Sequence, residues 1–227
     1  MRKYLIICFL LVSCEENEEA STYRVCDGWG NASCPRGTNV PFCTNGFKWG
    51  NDNPYDQAGQ NVQGPGTGGG VVTYSFRGEG EVFGMHAQDG IISLAFDNLN
   101  SCAKEKVREA FQKWEAVAGI SFEEVSDSEL SDIVLSAGQI EDPEIGAVGY
   151  PSYTGVPCED LAGQIIFDIP TRSNCDRFLN LALHEIGHAL GLGHVGSNNI
   201  MNPNWNDNET DLQGGDILGI QSIYGVK

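Results

Sequence analysis

Histidine is scarce in this chain, with 4 in 227 residues, and positive charge is outnumbered: 13 lysines and arginines stand against 31 aspartates and glutamates, a formal net charge of −18. That deficit excludes nucleic acid as a partner, because phosphate binding needs clustered basic surface. None of the 8 cysteines is spaced as a close CxxC pair, which disfavours a structural zinc built from them. Internal repeats are absent. The apolar run at the start, Leu5 to Val12, falls well short of the ~20 residues that a membrane-spanning helix requires.

What that opening does contain is a short basic start, Arg2 and Lys3, then the apolar run, then Ser13 and Cys14. The arrangement reads as a secretory signal over residues 1–13. Its end, LVSC, resembles the lipobox of bacterial lipoproteins, in which the thiol is acylated and becomes the new N-terminus; an ordinary signal peptide cleaved nearby is the alternative. Loss of Arg2 and Lys3 would take the formal charge from −18 to −20. The EENEEA run after Cys14 is similar to the acidic surface-export tags of some Bacteroidota lipoproteins, though a solvated tether would have the same composition. The expected location is the bacterial outer membrane or cell surface, with the lipid on Cys14 as the only membrane contact; a freely secreted protein is the alternative.

With Cys8 removed and Cys14 lipidated, six cysteines remain, which outside the cytoplasm favours three disulfides among 15 pairings. Cys158 and Cys175 flank a predicted strand and form the expected local pair. Cys26, Cys34, Cys43 and Cys102 would then tie the N-terminal segment to itself and to the rest of the chain.

Residues 15–69 are rich in Gly, Asn, Pro and Cys and close on NVQGPGTGGG, a looping segment with no room for a long helix. Regular patterning begins at Val71–Phe76, a β-branched and aromatic strand, followed by a weaker strand in GIISLAF. From Cys102 the spacing turns helical: Val107, Ala110, Phe111, Trp114 and Val117 make an apolar stripe, with Ser101 as the expected N-cap and Gly119 as the end. ISFEEV, SDIVLSAG and GQIIFDI read as further strands. A second helix is expected from near Asp176 to Gly191, and a last one from about Leu212 to Ile223. This order implies an α+β domain with a mostly buried, twisted mixed sheet.

Three of the four histidines fall within eleven positions, HEIGHALGLGH. His184 and His188 are four apart, so on a helix they project from one face about 6 Å apart at their origins, the separation two imidazoles need to share one zinc. Glu185 can reach a water on that metal without being a ligand itself. Gly191 lets the chain leave the helix, and His194 can return to the same ion. A helix with two solvent-facing histidines is the bland alternative, and it leaves their concentration here unexplained. His86, alone in FGMHAQDG, reads as a surface histidine rather than a ligand.

The full HExxHxxGxxH pattern, with Met201 seven residues after His194 and NIMNP around it, resembles the metzincin metalloproteases and, within them, the matrixin branch. LQGGDILGIQSIYG is similar to the matrixin closing helix, and VTYSF, VREAFQKWEAVAGISFEEV and SDIVLSAG are similar to its strand, helix and strand series. FKWG resembles the lead-in of bacterial secreted matrixins. The resemblance covers nearly all of residues 70–227. It implies a zincin-like catalytic domain over 70–227, preceded by a lipidated tether and Cys/Gly-rich segment over 14–69 that is also a candidate short proregion. It implies one catalytic zinc on His184, His188 and His194, Glu185 as general base, and Met201 beneath the metal. The substrate pocket would be lined by Pro203, Asn204 and Trp205, and the edge segment Ile145–Pro151, with Ala147, Val148 and Gly149, would hold an extended substrate.

The chain also departs from the family. Val148 and Ile166 stand where vertebrate-type matrixins place histidines of a second zinc, and neither binds metal, so one zinc per chain is expected. Asp168 survives where the family often binds calcium, with Glu159 and Asp160 nearby; a calcium site and a set of solvated acidic residues are both open. Gly215 replaces the first of two adjacent acids while Asp216 remains, which puts the family's N-terminal salt link in doubt. No PRCGVPD sequence exists; Cys26 is the nearest thiol and reads as a half-cystine, and Asp27 or Asp52 is the alternative cap on the zinc. The leading expectation is a lipid-anchored, monomeric zinc endopeptidase acting on proteins or peptides. Its rivals are a non-catalytic binding or adhesion lipoprotein on a metzincin scaffold, which the intact Glu185 disfavours, and a zinc hydrolase acting on something other than a peptide.

Overall fold

The computed structural model of the chain describes residues 40–50, 66, 68–78, 91–127, 131–140, 142–152, 161–169, 174–196, 198–204 and 209–227. Cys14 and the rest of the signal and acidic run, Cys26, Asp27, Cys34, Asp52, His86, Cys158, Glu159, Asp160 and Trp205 lie outside the described residues.

The elements run β1 (Cys43–Thr44), β2 (Gly70–Phe76), β3 (Ile91–Leu94), a 3-10 turn at Phe96–Asn98, α1 (Ala103–Val117), β4 (Ile120–Glu124), β5 (Ile133–Ile140), β6 (Ala147–Gly149), β7 (Gln164–Asp168), α2 (Cys175–Ala189), β8 (Leu192–Gly193) and α3 (Gly214–Tyr224). The main sheet has the order β4-β2-β5-β7-β6, with β3 paired to the second half of β5. β4, β2, β5 and β7 are parallel neighbours, and β3 and β6 run antiparallel to theirs. This is the expected α+β architecture with a mixed sheet. β7 is buried along its whole length, so both faces of this strand are covered, with Ile165, Ile166 and Phe167 as its apolar centre.

α1 forms where the apolar stripe predicts it, burying Val107, Ala110, Phe111 and Trp114 at three- and four-residue spacing. Trp114 is fully buried and satisfies its indole N–H on the Leu183 carbonyl of α2 at 3.1 Å. The ends of α1 differ from expectation. The N-cap position is Cys102, not Ser101, and no side chain caps it; the Cys102 amide donates instead to Asn100 Oδ1. The helix stops at Val117, before Gly119, because Ala118 is extended and bridges to Val226. Gly119 is there for a close approach: a Cβ on it would lie 2.5 Å from the Tyr224 carbonyl oxygen.

The expected Cys158–Cys175 pair is also corrected. Cys175 is bonded to Cys102, 73 residues away, with their Cα atoms 6.0 Å apart. The bridge joins the N-terminal ends of α1 and α2, which the packing of the two helices brings together. Cys43 is disulfide-bonded as well, and since Cys102 and Cys175 hold each other, its partner lies outside the described residues.

Within residues 14–69, expected as a lipidated tether and Cys/Gly-rich segment, the portion from Pro41 to Trp49 packs against the catalytic region. β1 pairs antiparallel with β8, and Cys43 and Phe47 are among the buried residues. Among the described residues no helix is long and apolar enough to cross a membrane.

Candidate metal centre

α2 begins on Asn174, whose side chain accepts from the Asp176 amide, and buries every residue from Phe178 to Ala189. His184 and His188 lie on it one turn apart. Leu190 ends the helix and Gly191 follows with φ 105°, the left-handed conformation that lets the chain reverse. That turn brings His194 back. The three Nε2 atoms are 3.0, 3.0 and 3.1 Å from one another, and among the described residues this is the one group placed to hold a metal.

Their hydrogen bonds decide what they can hold. His184 Nδ1 lies 2.6 Å from the Ile200 carbonyl and His188 Nδ1 2.8 Å from the Leu192 carbonyl. A carbonyl oxygen only accepts, so in both rings the proton is on Nδ1 and the Nε2 atom carries a lone pair. Two such lone pairs facing each other at 3.0 Å repel unless a cation lies between them. Burial drives the same way: it lowers His184 to a pKa of about 4, with the Ile200 carbonyl pulling weakly upward. His188 falls well below the usual imidazole value, through burial first and then its two histidine neighbours. Neutral imidazoles with convergent lone pairs fit zinc, whose bonds of 2.0–2.1 Å to nitrogen in a tetrahedron separate the ligands by about 3.3 Å.

Glu185 is almost completely buried, and burial alone raises its carboxyl to a pKa of about 8. Beside it runs the edge strand β6. A Cβ on Gly149 would sit 2.5 Å from the Glu185 carbonyl oxygen and 3.1 Å from its Oε2, so only glycine lets the strand pass this close. Gly187, between the two helical histidines, has a matching role: a Cβ there would lie 2.4 Å from Met201 Sδ. Met201 is therefore packed beneath α2 at the level of the histidines.

The turn holding Met201 is fixed by Asp216 of α3. Its Oδ2 accepts from the Ile200 and Gln213 amides at 2.9 Å each, and its Oδ1 from the Met201 amide at 3.2 Å. Burial raises the Asp216 pKa and these three donors oppose the rise. Sequence reasoning singled out Asp216 without this role; the Gln213 and Asp216 capping box is the signal that marks it. Gly215 is explained too, since a Cβ there would fall 2.0 Å from the Pro41 carbonyl oxygen and 2.5 Å from Asn199 Oδ1.

A cavity of about 250 Å³ opens at the histidines and Glu185, lined also by Glu144, Ala147, Val148, Leu181 and Pro203. Of the expected pocket residues, Ala147, Val148 and Pro203 line it. Gly149 instead packs on Glu185, and Asn204 is exposed, its amide donating to Asn202 Oδ1 at 2.9 Å. Trp205 is outside the described residues. Val148 and Ile166 lie directly opposite each other in the β6–β7 register. Asp168 is buried, and its Oδ1 accepts from the Ile140 amide at 3.1 Å.

Comparison with known proteins agrees with this geometry. The family model for matrixin peptidases matches residues 91–225. Matrix metalloproteinase-16 of Homo sapiens is 35% identical over 144 residues, covering 54% of this chain and 24% of the relative. Interstitial collagenase of Oryctolagus cuniculus is 36% identical over 131 residues, 52% of this chain and 27% of the relative. The hatching enzyme of Paracentrotus lividus is 28% identical over 198 residues, 82% of this chain and 28% of the relative. The chain thus spans about a quarter of the length of these relatives.

Proposed function

The chain belongs to the matrixin family, and from that footing we propose that it is a zinc-dependent endopeptidase that hydrolyses peptide bonds in proteins or peptides. The observation that carries the reading is the convergence of the three histidine Nε2 atoms, 3.0 to 3.1 Å from one another, in the lining of a cavity that Glu185 also lines.

His184, His188 and His194 would hold the ion, and zinc there supplies Lewis-acid polarisation of the scissile carbonyl and acidifies the attacking water. β6 ends the sheet, and its outer edge has no partner strand among the described residues, so an extended substrate can add to it by backbone hydrogen bonds. The peptide would then lie across Gly149 and beside Glu185. As the water oxygen bonds to the carbonyl carbon, Glu185 accepts one of its protons, then delivers that proton to the amide nitrogen as the carbon–nitrogen bond breaks. Burial raises this carboxyl's pKa, and the charge of a bound zinc would oppose that rise and leave Glu185 ionised to accept the first proton. Pro203 and Leu181 offer apolar wall to a substrate side chain.

The Cys102–Cys175 bridge supports an oxidising, extracytoplasmic location, and the opening signal with Cys14 supports anchoring by lipid at a bacterial outer membrane or cell surface. Replacement of Cys14 by Ser is expected to release the protein into the soluble fraction. Val148 and Ile166 support a single zinc per chain. Calcium at Asp168 has as its support only the buried carboxylate, and calcium-dependent melting tests it.

The experiment that tests the function is cleavage-site profiling of the purified protein on an unfolded protein substrate, with and without a zinc chelator. Defined cleavages lost on chelation and restored by zinc are expected. Cleavage that survives complete removal of metal would sink the proposal.

A further inference from the structure

The last carbonyls of a helix have no partner within it, and at the end of α2 they belong to the stretch that carries the chain from His188 to His194. The N-terminal segment supplies donors to three carbonyls of that stretch. Asn45 Nδ2 donates to the His188 carbonyl at 3.4 Å, Trp49 Nε1 to the Ala189 carbonyl at 2.9 Å, and the Asn45 amide to the Gly191 carbonyl at 2.8 Å. The Leu190 carbonyl takes the Tyr224 hydroxyl at 2.9 Å, and the same hydroxyl accepts from the Trp49 amide at 3.1 Å. Past the turn, Cys43 and Thr44 pair with Gly193 and Leu192. At the far end Pro41 accepts from Asn199 Nδ2 at 3.2 Å, two residues before Met201.

Glycines open the path for this segment. A Cβ on Gly191 would lie 2.2 Å from the Phe47 carbonyl oxygen, on Gly215 2.0 Å from that of Pro41, and on Gly219 2.9 Å from the Phe42 side chain. Side chains at three positions, one after α2 and two on α3, are thus omitted where residues 41–47 pass. A stretch bound only until its removal does not explain why the Ala189 and Gly191 carbonyls, between the second and third histidines, take hydrogen bonds from it, with Asn45 adding a second donor to the His188 carbonyl beside the Gly191 amide at 3.0 Å.

We propose that Asn45 and Trp49 are positioning residues of the metal centre, and that residues 41–49 are a permanent brace of the turn between His188 and His194 rather than part of a removable leader. The proposal rests on reading the three histidines as a zinc site. The brace acts by fixing where the backbone places His194 relative to the two helical histidines. Loss of such support costs metal affinity, since outer-shell contacts of metal ligands contribute on the order of tenfold or more.

The test is zinc affinity by chelator competition on the full chain for Asn45→Ala, Trp49→Phe and the double variant, with thermal melting of the metal-free forms. Ser152→Ala is the control, because Ser152 Oγ donates to the Lys48 carbonyl at 3.1 Å and so pins the same segment without touching the 188–193 stretch. About tenfold weaker zinc binding in each of the first two, more in the double variant, and unchanged binding in Ser152→Ala are expected. Unchanged affinity in the Asn45 and Trp49 variants overturns the proposal, as does an equal fall in the Ser152 control, which would mark a general loss of stability. A wild-type protein that binds zinc and never cleaves defeats the peptidase reading, while the pattern of affinities still upholds the brace.

Discussion

Gly149 offers the most exposing perturbation of the site. Replacing it with alanine adds one methyl group, 2.5 Å from the Glu185 carbonyl oxygen and 3.1 Å from its Oε2, where ordinary contact begins at 3.4 Å. The carbonyl belongs to the hydrogen-bonded backbone of α2 and cannot rotate away, so β6 and the helix must part by roughly an ångström. Overpacking of that kind costs about 1–3 kcal/mol, which in a domain of this size lowers Tm by several degrees. The effect on turnover should exceed the effect on stability, because a displacement of about 1 Å between a substrate and its catalytic group costs on the order of a hundredfold. The assay is kcat/KM on a peptide substrate alongside zinc content and melting. Gly149→Ala should keep zinc, melt a few degrees lower and lose about two orders of magnitude in kcat/KM. A variant with wild-type kinetics and melting would refute the placement of the substrate strand against Glu185.

Three other outcomes follow from the packing. Asp216→Ala strands three backbone amides, those of Ile200, Met201 and Gln213, and should lower unfolding free energy in urea by at least about 3 kcal/mol; a loss below 1 kcal/mol would contradict its role in the methionine turn. Removing the Cys102–Cys175 bridge by a double Ala substitution should destabilise by roughly 4 kcal/mol, the loop-entropy figure for its 73-residue separation, with no effect on cleavage sites. In metal-free protein, Glu185 has a folded pKa of about 8 against an ordinary 4.5. The raised value means that its contribution is fully present below pH 4.5 and lost as pH rises through 8, up to roughly 5 kcal/mol in all. The difference in urea midpoint between metal-free wild type and metal-free Glu185→Gln should therefore fall between pH 5 and pH 8, because the two buried histidines, with depressed pKa values, contribute alike to both; parallel pH profiles would contradict the buried carboxyl.

How legible the molecule was in its sequence depends on the range of the interaction. The spacing of His184, His188, Gly191 and His194 is a local matter of helix geometry and one left-handed turn, so it could be read directly. The stripe on α1 and the β7 run were legible for the same reason, since periodicity reports which face is buried. The Cys102–Cys175 bridge was not, because proximity of two helix starts 73 residues apart follows from helix packing and not from the chain between them. The same holds for Asn45 and Trp49, which lie in a stretch whose composition reads as loop, while their partners are backbone carbonyls that carry no sequence signal. Gly149 reads from sequence as part of the substrate-binding edge and Gly215 as a lost acid, while the close neighbours that fill their side-chain space are distant in the chain.

Proton transfer by Glu185 at a zinc site formed by His184, His188 and His194 is tested by cleavage of an unfolded protein by Glu185→Ala, with zinc content measured on the same sample. General-base catalysis contributes about 10²–10⁴-fold. A zinc-loaded variant that cleaves at least a hundredfold more slowly than wild type is predicted; a zinc-loaded variant that cleaves at the wild-type rate would contradict the account.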